Sequence, residues 1–173
     1  MILTGAPGVG KTTVARRVAA RSDRAVHLES DHFFHFITSG YVEPWRPESN
    51  EQNRTVMRIV ADAAASYAAA GYVTIVDGIV IPGWFLEPMR NSLHDAGHEV
   101  AYVVLRAPLS VCIARTRRRG PQSLTDPEVV EHLWRDFAAL GALESNVVEI
   151  CTSSPDDVAE QVAKRFRGGS LAT

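Results

Sequence analysis

With 173 residues, 46% of them hydrophobic, the chain is long enough to bury one substantial core and too apolar to be a disordered segment. A formal net charge of −2 gives no global attraction to polyanions, so neither nucleic-acid nor anionic-membrane binding is expected from charge. No apolar run approaches transmembrane length and no signal-peptide pattern is present, while Cys112 and Cys151 lie far apart in apolar runs. The expectation is a soluble, cytoplasmic protein with two buried free thiols, acting as a monomer or homodimer.

The first predicted strand, over residues 1–4, runs into Gly5-Ala6-Pro7-Gly8-Val9-Gly10-Lys11-Thr12-Thr13. The octet at 5–12 fits G-x-x-x-x-G-K-[ST] without a mismatch, and a helix is predicted behind it over 11–21. Glycines at this spacing let backbone N–H groups turn inward onto phosphate oxygens, and the helix aims its positive end at the same anion. Lys11 supplies a cation for the β- and γ-phosphates of ATP, and the Thr12 hydroxyl is placed to ligate Mg²⁺.

A second strand is predicted over 25–29. Asp31 follows it, where a carboxylate either takes a proton from an attacking hydroxyl or caps a helix, and the preceding phosphate loop favours the catalytic role. The stretch 38–50 reads as a long loop and a candidate substrate wall. A helix is predicted over 51–70 and a third strand over 73–77, ending in Asp77-Gly78. An apolar run closed by Asp suits a Mg²⁺ ligand beside Thr12, although Asp-Gly is also a common turn pair; Gly78 would let the backbone pass close to a ligand.

Residues 79–85 are expected to line an acceptor pocket together with 31–53. Phe33, Phe34, Phe36, Tyr41, Trp45, Trp84 and Phe85 suit a partly apolar acceptor, though aromatics at such spacings also build cores. Among the neighbouring polar residues, His32, His35, Arg46, Gln52 and Asn53 are candidates to orient it. His27, His32 and His35 have no carboxylate or Cys partner at a metal-ligand spacing, so a His metal site is not expected.

Further helices are predicted over 87–96, 109–118, 126–140 and 155–166, and strands over 100–106 and 146–151. Thr125-Asp126-Pro127 reads as a cap and proline entry. Strands alternating with helices imply an α/β fold, a parallel sheet covered on both faces. The basic run Arg115-Thr116-Arg117-Arg118-Arg119-Gly120 lies at a helix end, where arginines are either solvated by preference for the helix dipole or form a lid over ATP. Arg115 and Arg119 share a helical face and are the lid candidates, with the lid spanning about 115–126. The single domain is expected to occupy 1–167, with 168–173 a frayed tail.

Taken together, the loop at 5–13, Asp31, Val76-Asp77-Gly78, the arginines at 115–119 and the closing segment 146–162 resemble a small P-loop kinase, of the kind that includes gluconate kinase, shikimate kinase and chloramphenicol phosphotransferase. The resemblance implies a three-layer P-loop NTPase fold with a five-stranded parallel sheet in the order 2-3-1-4-5. It implies further that Asp31 contacts or deprotonates the acceptor hydroxyl, and that Arg115 and Arg119 grip ATP. In this chain Gly78 is followed by Ile79, not by the second glycine of a shikimate kinase. The expected activity is ATP- and Mg²⁺-dependent transfer of the γ-phosphate to a hydroxyl of a small molecule, an antibiotic or other metabolite. A nucleoside, nucleotide or polynucleotide 5′-hydroxyl kinase is the alternative within the class, and a P-loop ATPase or nucleotide-binding switch the alternative outside it.

Overall fold

The computed structural model describes residues 1–118, 124–150 and 153–167. Five strands, β1 (Ile2–Gly5), β2 (Ala25–Glu29), β3 (Val73–Asp77), β4 (Tyr102–Arg106) and β5 (Val147–Glu149), form one sheet in the order β2-β3-β1-β4-β5. All four pairings are parallel. The central strands are almost wholly buried, as a parallel sheet covered on both faces requires. The chain first steps from β1 to the β2 edge and then works back across the sheet. Right-handed crossovers therefore put the first helix on one face and those that follow β2, β3 and β4 on the other.

Helix α1 (Lys11–Ala19) packs against α7 (Pro155–Arg167), whereas α2 (Ser30–His35) and α4 (Leu86–Asp95) pack on the long α3 (Asn50–Ala69), and α5 (Leu109–Thr116) packs on α6 (Pro127–Arg135). Strand and helix positions follow the sequence pattern to within a few residues at most ends. The entry to α6 is as predicted: Asp126 accepts a hydrogen bond from the Glu128 N–H at 2.9 Å and Pro127 occupies the first turn. Its exit is not, because α6 stops five residues before the predicted 140. There the Phe137 carbonyl accepts from Arg106 Nε at 3.0 Å while the ring is buried, which turns the chain inward toward β5. The fifth strand likewise ends at Glu149; Cys151 and the predicted tail 168–173 lie outside the described residues.

Two elements escaped the sequence pattern. Residues 30–35, for which no element is predicted, form α2, and the loop 38–50 contains a 3₁₀ turn at Pro47–Ser49. Neither is long enough to show a helical period. Register then sets up the site. Glu29 pairs with Asp77 across β2 and β3, and Leu3 pairs with Asp77 across β1 and β3. Both strand-end carboxylates are thereby brought to the edge where β1 gives way to the glycine loop, beyond the carboxyl ends of the strands where open α/β sheets hold ligands. Among the described residues, no helix is long and apolar enough to cross a membrane.

Candidate active site

The loop between β1 and α1 owes its shape to glycine. Gly8 (φ 79°) and Gly10 (φ 108°) occupy the left-handed region, and a Cβ on Gly8 would also overlap the carbonyl oxygen of Cys112. Cys112 itself is a core thiol whose pKa burial pushes up, as expected of an inert residue. Lys11 Nζ reaches back across the loop to donate to the carbonyls of Gly5 (2.9 Å) and Ala6 (3.3 Å). Arg115, at the end of α5, donates to the Val9 carbonyl at 3.0 Å. The first of the lid candidates thus braces the phosphate loop from outside. Arg119 lies outside the described residues, as do residues 120–123 of the predicted lid; Arg117 and Arg118 are exposed.

Asp77 is the electrostatic centre. Its Oδ2 accepts from the Thr12 hydroxyl at 2.6 Å and stands 3.2 Å from His27 Nε2. Burial pushes this carboxyl up, but the His27 hydrogen bond, the Lys11 charge and the Thr12 hydroxyl outweigh it and hold the group below the usual carboxylate value. A depressed carboxyl stabilises the folded state fully above its ordinary pKa of about 4, and that contribution is lost as pH falls through the lower native value. In urea titrations from pH 6 downward, Asp77→Asn is therefore expected to be less stable than the parent at pH 6 and to lose less stability on acidification. Parallel curves at all pH values would show that the charge of Asp77 contributes nothing to the fold.

His27 is the partner that sequence spacing concealed. Its carboxylate neighbours are Asp77, fifty residues on, and Glu29, whose Oε1 is 3.8 Å from Nδ1. Neither carboxylate stands at a metal-ligand spacing in sequence; parallel pairing of β2 with β3 creates the contact with Asp77. Among the described residues no three His, Cys, Asp or Glu side chains are grouped to hold a metal.

A cleft of about 510 Å³ opens from Pro7, Lys11, Thr12 and Asp77 and runs past Asp31 to an aromatic wall of Phe34, Tyr41, Trp45, Trp84 and Phe85, a size suited to a small ligand. Asp31 sits in the first turn of α2, one residue inside the helix rather than at its cap, which is Glu29. Gly78 also lines the cleft, and a Cβ there would overlap Ser30 Oγ, so the glycine lets the start of α2 close onto the end of β3. The segment after β3 is pinned by its neighbours: the Val80 N–H donates to Thr4 Oγ1 at 2.9 Å, and Tyr102 donates to the Val80 carbonyl at 2.8 Å. That anchoring holds Trp84, stacked on Phe85 at 4.0 Å, against the cleft.

The opposite wall is held by α3. Gln52 clasps Val42, accepting from its N–H (2.9 Å) and donating to its carbonyl (2.7 Å). Asn53 Nδ2 donates to the Pro44 carbonyl and to Ser49 Oγ at 2.7 and 2.8 Å. Of the predicted acceptor residues, Asp31, Phe34, His35, Asn53, Asp77 and Gly78 line the cleft, and His32 does not. Gln52 and Arg46 do not. Gln52 spends its amide on the loop, and Arg46 turns to Glu43 at 3.0 Å. Glu29 and Glu43, which carried no motif, line the cleft; Glu29 is legible in retrospect only from its register with Asp77.

The AAA domain family matches residues 1–142. No curated protein matches the sequence. Among solved structures, the tunicamycin resistance protein of Deinococcus radiodurans is similar at a TM-score of 0.70 with 23% identity, over 95% of this chain and 94% of that one. A sugar kinase from Janibacter sp. HTCC2649 is similar at 0.68 with 18% identity, over 99% and 96%. Shikimate kinase from Acinetobacter baumannii, in complex with shikimate, is similar at 0.58 with 23% identity, over 98% and 93%. At such identities the likeness is one of fold. With the family match covering most of its length and its sheet ordered 2-3-1-4-5, the chain belongs to the AAA domain family and has the fold of the small P-loop kinases.

Proposed function

We propose that the chain is an ATP- and Mg²⁺-dependent phosphotransferase that acts on a hydroxyl of a small, partly apolar molecule, an antibiotic or other metabolite. The observation that carries this reading is the continuity of the cleft: one cavity joins the phosphate loop and Asp77 at one end to Asp31 and the aromatic wall at the other. A bare ATPase has no use for the second half. The neighbours that carry kinase or antibiotic-resistance names support the same class.

The loop amides and Lys11 would hold the donor phosphates, with Arg115 beside them on the Val9 carbonyl. The donor set fits Mg²⁺: a hydroxyl and a carboxylate, both oxygen ligands, meet at 2.6 Å in Thr12 and Asp77, and the carboxylate is held toward its ionised form. Mg²⁺ bound there supplies charge neutralisation for the phosphates. Asp31 orients the acceptor hydroxyl and accepts its proton as the oxygen attacks the γ-phosphorus in line with the departing ADP oxygen. The test is γ-phosphate transfer to a chemically diverse library of hydroxyl compounds, with mass detection of products. Acceptor-dependent formation of a phosphorylated product is expected; ATP consumption yielding only inorganic phosphate across the library would contradict the proposal.

A further inference from the structure

The acceptor end of the cleft has a charge pattern of its own. Asp31 and Glu43 stand there with Tyr41, Trp45 and Trp84. The Asp31 side chain has no hydrogen-bond or ion-pair partner among the described residues. Glu43 is paired with Arg46, whose side chain is 60% exposed and outside the cleft lining, a pairing of the weak, solvated kind. Lys11 is the one Lys or Arg among the described residues lining the cleft, and it stands at the phosphate loop.

Two further observations agree. The pKa of the Tyr41 hydroxyl is raised first by burial and then by the charges of Glu43 and Asp31, which places both carboxylates close enough to act on this end of the cleft. Asn53, only 1% exposed in the same wall, has its amide nitrogen committed to Pro44 and Ser49, which leaves Oδ1 buried without a donor among the described residues.

An acceptor bearing a carboxylate or phosphate calls for a guanidinium or ammonium to receive it, and this wall presents carboxylates instead. An ammonium is attracted both by carboxylates and by the faces of aromatic rings. It also brings only donors, which complement the acceptor-only oxygens of Glu43 and Asp31. Resting on the reading of the cleft as a phosphotransferase site, we infer that the acceptor is a cationic, amine-bearing hydroxyl compound, its ammonium held by Glu43, Tyr41 and Trp45 while its hydroxyl meets Asp31. In the transfer, the acceptor oxygen bonds to the γ-phosphorus as the bond from that phosphorus to the bridging oxygen breaks. ADP leaves with the electron pair, the hydroxyl proton passes to Asp31, and the ammonium takes no part in bond-making.

The test presents matched hydroxyl compounds as free amine, N-acetyl derivative and carboxylate analogue: glucosamine, N-acetylglucosamine and gluconate, and phenylalaninol, N-acetylphenylalaninol and 3-phenyllactate. Free amines are expected to be phosphorylated with kcat/KM about tenfold or more above their N-acetyl partners. Glu43→Gln, which keeps size and removes charge, should shrink that ratio. Equal or better transfer to N-acetyl or carboxylate members overturns the inference and leaves the phosphotransferase reading standing, as does a ratio that Glu43→Gln does not move. If no amine of the panel is phosphorylated while an uncharged or anionic member of the diverse hydroxyl library is, the inference falls alone; if no compound of that library is phosphorylated while ATP is hydrolysed, both fall.

Discussion

Replacing Lys11 by alanine is expected to lower phosphoryl transfer on the order of 10³-fold, the scale of losing one preorganised charge from a phosphoryl-transfer site. The fold should survive the change. Lys11 is only partly buried, and its side chain donates to the Gly5 and Ala6 carbonyls of the loop. Thermal unfolding and turnover measured on the same preparation separate the two effects. A stable Lys11→Ala protein with near-parental turnover would remove the donor-phosphate role from the loop.

Asp31→Asn tests the other end of the cleft. It keeps the size of the side chain, removes its charge and basicity, and should lower acceptor phosphorylation by roughly 10²–10⁴-fold, as for the loss of a positioned general base. ATP affinity should hardly change. Asp77→Asn should differ in kind, raising the Mg²⁺ requirement of transfer and of background hydrolysis together, because a metal ligand serves every reaction of the bound nucleotide. Its contacts with Thr12 and His27 add a stability cost that Asp31, exposed and unpaired among the described residues, does not carry. Should Asp77→Asn instead lose only acceptor phosphorylation while Asp31→Asn transfers normally, the two roles are exchanged.

The phosphate-loop end of the cleft is legible in sequence because its geometry is local. Gly8, Gly10, Lys11 and Thr12 are fixed relative to one another by one turn, and the turn demands glycines that a pattern can recognise. The central strands are legible for a similar reason, since burial on both faces writes them as short apolar runs. The aromatic end is assembled from distance. His27 and Asp77 meet only through strand pairing, and Glu43 and Trp45 face the cleft only because Gln52 and Asn53 tie their loop to α3. Gln52 illustrates the limit. Its residue type and position suited a substrate contact, but the backbone of Val42 takes its whole amide. Helix α2 was hidden by its length, six residues beginning immediately after β2.

The most direct test of the phosphotransferase reading is the ratio of phosphorylated acceptor to free phosphate formed from ATP, measured for the parent protein and for Asp31→Asn under saturating nucleotide. The cleft architecture predicts that an acceptor raises this ratio well above background in the parent, and that Asp31→Asn lowers it at least about 10²-fold while hydrolysis persists. A ratio that stays at background with every acceptor, with hydrolysis abolished by Asp31→Asn, would contradict it and make the protein an ATPase whose carboxylate positions water.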